Sequence, residues 1–128
     1  MTDAPTETVI INNSGDQFPP AVFEWPGVRI LEVTAEADVP NDLTGDVVVT
    51  TTEGSSNLAE ILARGIDWVH TIGTGVDNFP FDVLDGQTLT CSQGASGLPI
   101  GEWVFAQMLS FAKAMPEVFV SYAPETWG

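Results

Sequence analysis

The stretch DVVVTTTEGSSNLAEILARGIDWVHTIGTGVDNFP, Asp46 to Pro80, decides the fold. It opens on DVVVT (Asp46 to Thr50), a short β-branched run that is apolar on both faces, as a strand buried on both sides must be. SNLAEILARG follows, a helical pattern that Ser56 or Asn57 can cap and Gly65 can stop. A second apolar run, WVHTI (Trp68 to Ile72), closes the unit. Strand, helix and strand at this spacing indicate parallel pairing. Similar runs occur upstream in TVII (Thr8 to Ile11) and RILEV (Arg29 to Val33), and more weakly downstream in TLTC (Thr88 to Cys91). The expectation is an α/β domain, a parallel sheet of about five strands with flanking helices.

The loop after the second run, GTGVDN (Gly73 to Asn78), has the first two glycines of a dinucleotide-binding pattern. Asn78 stands where the third should be, and Asp77 would set a negative charge beside a pyrophosphate. FPFDVLDG behind it is too short and too interrupted by proline to be the helix that holds a phosphate. Glycines after a buried strand nevertheless expose main-chain amides at the carboxyl edge of the sheet, where open α/β folds bind ligands. A small carboxylate suits that place.

Charge narrows the partners. The 128 residues carry 18 acids against three bases, Arg29, Arg64 and Lys113, for a net charge of -15. A polyanion or an anionic membrane surface is repelled by such a chain, so neither nucleic acid nor membrane is expected as a partner. The acids are scattered rather than gathered in a tail, which indicates a hydrated acidic surface. That surface is consistent with a halophilic source and equally with a merely acidic protein. The single cysteine, Cys91, excludes an internal disulfide and a multi-thiolate metal site. MTDAPTETVI has no basic region ahead of an apolar core, so no signal peptide is expected and the protein is read as cytoplasmic.

The last third reads as one helix, LPIGEWVFAQMLSFAKAM from Leu98 to Met115, with Pro99 in its first turn. Ile100, Val104, Met108, Ala112 and Met115 form a stripe, while Trp103, Phe105, Leu109 and Phe111 extend apolar surface nearly all round. Such a helix requires burial on more than one side, against its own domain and then a second domain or subunit. Glu102, Gln107 and Lys113 interrupt it, and it is short of the roughly 20 apolar residues of a membrane span.

In order along the chain, VVVTT (Val47 to Thr51), NLAEIL (Asn57 to Leu62), WVHTIGTGVDNFP (Trp68 to Pro80) and GLPIGEWVFAQMLSFAKAMPE (Gly97 to Glu117), leading to Trp127, resemble a known family. It is the N-terminal substrate-binding portion of the D-isomer-specific 2-hydroxyacid dehydrogenases. The resemblance implies a flavodoxin-like substrate-binding domain over residues 1–98. Residues 99–128 would be the interdomain and dimer helix, Pro99 to Met115, and the start of a link to a nucleotide-binding domain. It implies that Thr74, Gly75 and Val76 offer amides to a substrate carboxylate, and that Thr50 and Thr51 approach the substrate's other end. Some family members carry a basic residue where this chain has Thr50, which weighs against a phosphorylated or dicarboxylic substrate. The chemistry implied is hydride transfer between NAD or NADP and a 2-oxo or 2-hydroxy acid. The catalytic arginine, acid and histidine, and the cofactor site, belong to the nucleotide-binding domain. This chain alone is therefore expected to be a catalytically silent fragment of a homodimeric enzyme, holding neither catalytic residues nor cofactor, and no metal.

Other residues read more simply. His70, the one histidine, lies within a strand with no acid near in sequence to orient it, and is taken as structural. Cys91 is taken as a small buried hydrophobe, Glu102 as a response to the helix dipole, and Asp77 as a turn former. Thr50 to Thr52 can also simply satisfy backbone groups at a strand end. Two alternatives stay open: a non-catalytic flavodoxin-like binding module and a purely structural dimerisation domain. For the former, INNSGDQFPP offers only Asn13, Ser14 and Gly15 as a phosphate loop, and Asn12 and Asn13 occupy the place of acceptor aspartates.

Overall fold

A computed structural model describes residues 7–17, 25–115, 117 and 119. The chain divides into two compact units, Met1–Gln93 and Gly94–Gly128. Trp127, where the resemblance places the link to a cofactor domain, lies outside the described residues.

The first unit holds five strands: β1 (Thr8–Asn12), β2 (Val28–Glu32), β3 (Val47–Thr50), β4 (Trp68–Thr71) and β5 (Thr88–Cys91). All are parallel, in the order β2-β1-β3-β4-β5. This is the strand order of flavodoxin-like sheets, and its direction of winding reverses between β1 and β3. Each expected run became a strand, within a residue at either end. The even burial expected along the runs holds for β3, whose four residues are all buried. It fails for β2, where Arg29 and Glu32 are exposed at an edge of the sheet, and holds only in part for the inner strands β1 and β4, whose Thr8 and Trp68 are exposed. Asp46 leads the chain into β3: its amide donates to the Val9 carbonyl at 2.9 Å, and its carboxylate accepts the Val9 amide at 2.7 Å.

Between β3 and β4 runs a short helix, α1 (Leu58–Leu62). Leu58, Ile61 and Leu62 recur at helical spacing and are buried, while Glu60 and Arg64 pair at 3.1 Å one turn apart. The buried face packs with Ile11, Val48 and Val69 from one face of the sheet, and with Ile66, Val39, Leu43 and Phe79. Six of these residues, Ile11, Val48, Leu58, Ile61, Ile66 and Val69, have no exposed surface. At about 1.5–3 kcal/mol for each such side chain, this layer dominates the unit's stability.

The capping expected of Ser56 or Asn57 does not occur. Asn57 occupies the N-cap without a side-chain cap bond, because its amide donates to the Thr34 and Ala37 carbonyls, each at 2.9 Å. Tertiary partners outcompete the helix terminus for this side chain. Gly65 does stop the helix, in the left-handed region at φ +85°.

The second unit contains α2 (Gly97–Ala112). It begins one residue before the expected Leu98, includes Pro99 in its first turn, and ends ahead of the expected Met115, with Ala114 left-handed at φ +52°. None of its residues is buried, and Trp103 and Phe111 are 64% and 91% exposed. Among the described residues no helix is long and apolar enough to cross a membrane.

Candidate functional site

Two crevices at the carboxyl ends of the strands could take a ligand, and hydrogen bonding separates them. The first is the reversal point between β1 and β3, the usual ligand crevice of an open α/β sheet. Here Asn13, Ser14 and Thr50 are all buried. The Asn13 amide donates to the Val33 carbonyl at 2.8 Å and to Asn57 Oδ1 at 3.1 Å. Its Oδ1 accepts the Ser55 hydroxyl in a short hydrogen bond and the Thr50 hydroxyl at 3.4 Å. Asn12 holds Ser14 through its Oδ1 and both Glu32 carboxylate oxygens through its Nδ2. The crevice is thus filled by the molecule's own side chains, with donors matched to acceptors.

The second lies beyond β4, a cleft of about 270 Å³ lined by Thr52, Gly73, Thr74, Gly75, Asp77 and Asn78. Its loop is anchored at both ends. The Ile72 amide donates to the Thr50 carbonyl at 3.1 Å. Phe79 is buried in the core, and its amide donates to the Val76 carbonyl at 3.0 Å. On the β5 side, the Ser92 amide donates to the Gly73 carbonyl at 2.9 Å, and the Cys91 thiol donates to the Thr74 carbonyl at 3.8 Å. In a trans peptide the N–H points opposite to the C=O it adjoins. With the carbonyls of Gly73 and Thr74 held toward β5, the amides of Thr74 and Gly75 are aimed away from it. Among the described residues no acceptor takes an amide from Thr74 to Asn78. Unpaired main-chain donors on a rigid turn are the ingredients of an anion site.

The expected site residues therefore fall in different settings. Thr74, Gly75 and Val76 share the loop, with Thr74 and Gly75 lining the cleft and Val76 partly buried against the core. Thr50 is fully buried, its hydroxyl spent on Asn13, and Thr51 is partly buried, with its hydroxyl donating to the Gly54 carbonyl at 2.9 Å. Two lining residues, Asp77 and Asn78, were not singled out for this role in the sequence, and Thr52 was read there only as one of the strand-end threonines. Asp77 was read as a turn former, yet its carboxylate reaches back over Gly75, where a Cβ would lie 2.9 Å from Oδ2. Among the described residues no basic one lines the cleft. Arg29 and Arg64 are paired elsewhere, with Glu7 and Glu60.

A larger cleft of about 320 Å³ lies against the edge strand β2, lined by Arg29, Leu31, Val33, Pro40, Asp42 and Leu43 among others. Size alone does not make it the site. Its cation is paired with Glu7 at 2.9 Å. The cleft beyond β4 does not fit a dinucleotide: the Gly73–Asn78 loop leads into a single 3-10 turn, Phe81–Val83, rather than a helix, and Asp77 lies where a pyrophosphate would need amides alone. Among the described residues no cluster of three or more His, Cys, Asp or Glu could hold a metal ion.

His70 lies on β4, with its Nδ1 2.9 Å from the Thr90 hydroxyl and its Nε2 3.4 Å from the Ser92 hydroxyl. Burial lowers its pKa from the ordinary value of 6.5. As the sequence suggested, its described partners include no carboxylate.

Fold and site together define a parallel α/β protein with a polar, cation-free cleft at the carboxyl edge of its sheet. No known family model matches the chain, and no solved structure matches it.

Proposed function

We propose that this chain is the substrate-binding part of an NAD- or NADP-dependent D-2-hydroxyacid dehydrogenase, taking the carboxylate of a 2-oxo or 2-hydroxy acid on the Thr74–Val76 loop. One observation carries the reading: the loop's carbonyls are held toward β5, leaving the Thr74 and Gly75 amides without acceptors over a cleft of small-acid size. Thr50 and Thr51 then serve by shaping the strand end behind the cleft, and Thr52 and Asn78 supply the polar lining. Hydride transfer, with its catalytic arginine, acid and histidine, falls to a nucleotide-binding domain, where NAD or NADP is held. An enzyme using these cofactors, in a chain with no basic region ahead of an apolar core at its start, would act in the cytoplasm. α2, with its apolar residues exposed, provides the homodimer contact. Sedimentation of the chain as a dimer, and of Trp103→Glu as a monomer, is the expected outcome for that contact.

Charge-assisted bonds from two amides, with no cation behind them and Asp77 nearby, support only weak binding, with a Kd on the order of 10 mM. The test is a titration of the 128-residue chain with D-lactate and glyoxylate, followed by amide NMR, with chloride at equal ionic strength as control. Movement of the Thr74, Gly75 and Val76 amides with saturation supports the reading. A loop that responds no more to these acids than to chloride refutes it. Mixed with NADH and glyoxylate, the same chain is expected to give no turnover above blank. The rival reading, a flavodoxin-like binding module without catalysis, has less to support it, because Asn13 and its partners fill the crevice such a module would use.

A further inference from the structure

Four side chains on β4, β5 and the residue after β5 line up on one face of the sheet and end at the candidate loop. Trp68 and His70 lie on β4, in register with Thr88 and Thr90 of β5. Donor chemistry fixes the direction of the first of their hydrogen bonds. An indole N–H can only donate, so Trp68 Nε1 donates to Thr90 Oγ1 at 2.8 Å. In the Nε2–H tautomer of the neutral imidazole, the Thr90 hydroxyl donates to Nδ1 at 2.9 Å and Nε2–H donates to the Ser92 hydroxyl at 3.4 Å. Ser92 in turn holds Gly73 by its main-chain amide at 2.9 Å.

We propose that His70 is a positioning residue for the Gly73–Gly75 segment, acting through Ser92, and that its proton is linked to the occupancy of the loop. A proton added at Nδ1 turns that nitrogen into a donor. Thr90 Oγ1 can accept it beside Trp68 while its own hydrogen turns to the Val69 carbonyl, 3.4 Å away. The array therefore has two complete arrangements that differ in the direction of the Thr90 hydroxyl. In the charged arrangement the Nε2–H bond to Ser92 becomes charge-assisted and contracts from its present length, drawing Ser92 and the Gly73 carbonyl toward the ring. It also places a cation on the strand that leads into the loop, roughly 10 Å from Gly73 at about 3.3 Å per residue, where no described lining residue is positive. The Coulomb energy at that range is worth roughly threefold in carboxylate affinity.

No charged group among the described residues on the neighbouring strands competes for the ring. Val49 faces it from β3, and Thr90 from β5. Asn12 is the next residue along the row, and Glu32 on β2, already bonded by Asn12, is the first charge, three strands away at roughly 14 Å. Burial disfavours the charged ring, so the change falls below pH 6.5. The carboxylate rests on the function proposed above; the relay itself does not.

The experiment is a pH titration of the 128-residue chain by amide and indole NMR, first without ligand. The Gly73, Thr74 and Gly75 amides and the Trp68 indole are expected to shift with one midpoint, that of the His70 ring. Ser92→Ala is expected to abolish the loop step while keeping the ring and indole steps, and Thr90→Val to abolish the indole step. A loop that does not follow the ring, or whose step survives in Ser92→Ala, overturns the proposal, and neither variant alters the buried core. D-lactate is then titrated above and below the midpoint. Binding about threefold tighter below it is the expected result, and equal binding on both sides overturns the proton linkage. If lactate moves nothing at any pH, the carboxylate reading is lost, the linkage falls with it, and the ligand-free steps decide the positioning role.

Discussion

Gly73 is the residue on which the geometry of the cleft makes its sharpest demand. A Cβ built there would lie 1.9 Å from Thr52 Cγ2, against an ordinary carbon contact of about 3.5–4.0 Å. The next neighbours, Thr52 Cβ at 3.4 Å and the Gly75 carbonyl at 3.8 Å, are in normal contact, so one methyl group is the whole obstacle. Gly73 is not among the glycines with positive φ, and alanine meets no backbone strain there. Gly73→Ala must therefore turn Thr52 from its rotamer or shift the loop, at about 1–3 kcal/mol, less about 0.4–1 kcal/mol gained from a stiffer unfolded chain. The net expectation is a loss of about 1–2 kcal/mol, or a Tm lower by roughly 4–8 °C for a chain of this size. Thr52→Ser removes the obstructing methyl. Alone it should change stability by less than about 0.5 kcal/mol, and in its background Gly73→Ala should become neutral or stabilising. Urea unfolding of the four proteins, followed by far-UV circular dichroism, measures the cycle. A neutral Gly73→Ala, or a double variant no better than that single variant, would refute the close approach of Thr52 to Gly73.

Three further outcomes follow from the same contacts. Asn13→Ala strips partners from the Val33 carbonyl, Asn57 and Ser55 in a buried site, and should cost about 2–4 kcal/mol in urea unfolding; a loss below about 0.5 kcal/mol would mean the network is not holding β1, β3 and α1 together. With a net charge of -15, Tm should climb by several degrees between about 0.1 M and about 2 M NaCl as the acids are screened. A flat or falling Tm in calorimetry would show that self-repulsion is not what limits stability. For His70 the folded pKa lies below the unfolded 6.5, so the unfolded chain binds the extra proton first. Its contribution is fully present above pH 6.5 and is lost as the pH falls toward the folded value. His70→Gln should remove that slope just below pH 6.5, and an unchanged slope in the variant would contradict burial of the neutral ring.

The strands were legible because their residues carry the signal themselves. DVVVT is apolar on both faces, as a central strand requires, and WVHTI keeps Val69 on the core face while Trp68 and His70 give its other face a polar side. RILEV misled in one respect: an edge strand with exposed Arg29 and Glu32 differs from a central one by its neighbours, and neighbours are not written in a five-residue run. The cap of α1 was misread for a related reason. Ser56 and Asn57 have local capping chemistry, but Asn57 meets Thr34, Ala37 and Asn13, residues at least 20 positions away, and the distant partners win. Of the cleft, the Gly73–Asn78 loop was visible as glycines after a strand, whereas Thr52 enters only because β3 and β4 are register neighbours.

Position in the fold gives both crevices an equal claim to a ligand, and the state of their polar groups breaks the tie. At the reversal point, Asn13 uses both its donors and its acceptor on the protein, so an incoming ligand would have to break buried hydrogen bonds before making its own. Beyond β4 the carbonyls are engaged and the amides are not, so a carboxylate would displace only solvent. On the proposed reading, a cleft with no lining cation among the described residues draws its affinity from oriented main chain, in keeping with a chain that has three bases. An arginine introduced at the cleft by Asn78→Arg should then strengthen D-lactate binding at least threefold, and lose that gain in 1 M NaCl, where the screening length is about 3 Å. Unchanged affinity in that variant would mean that the acid binds elsewhere.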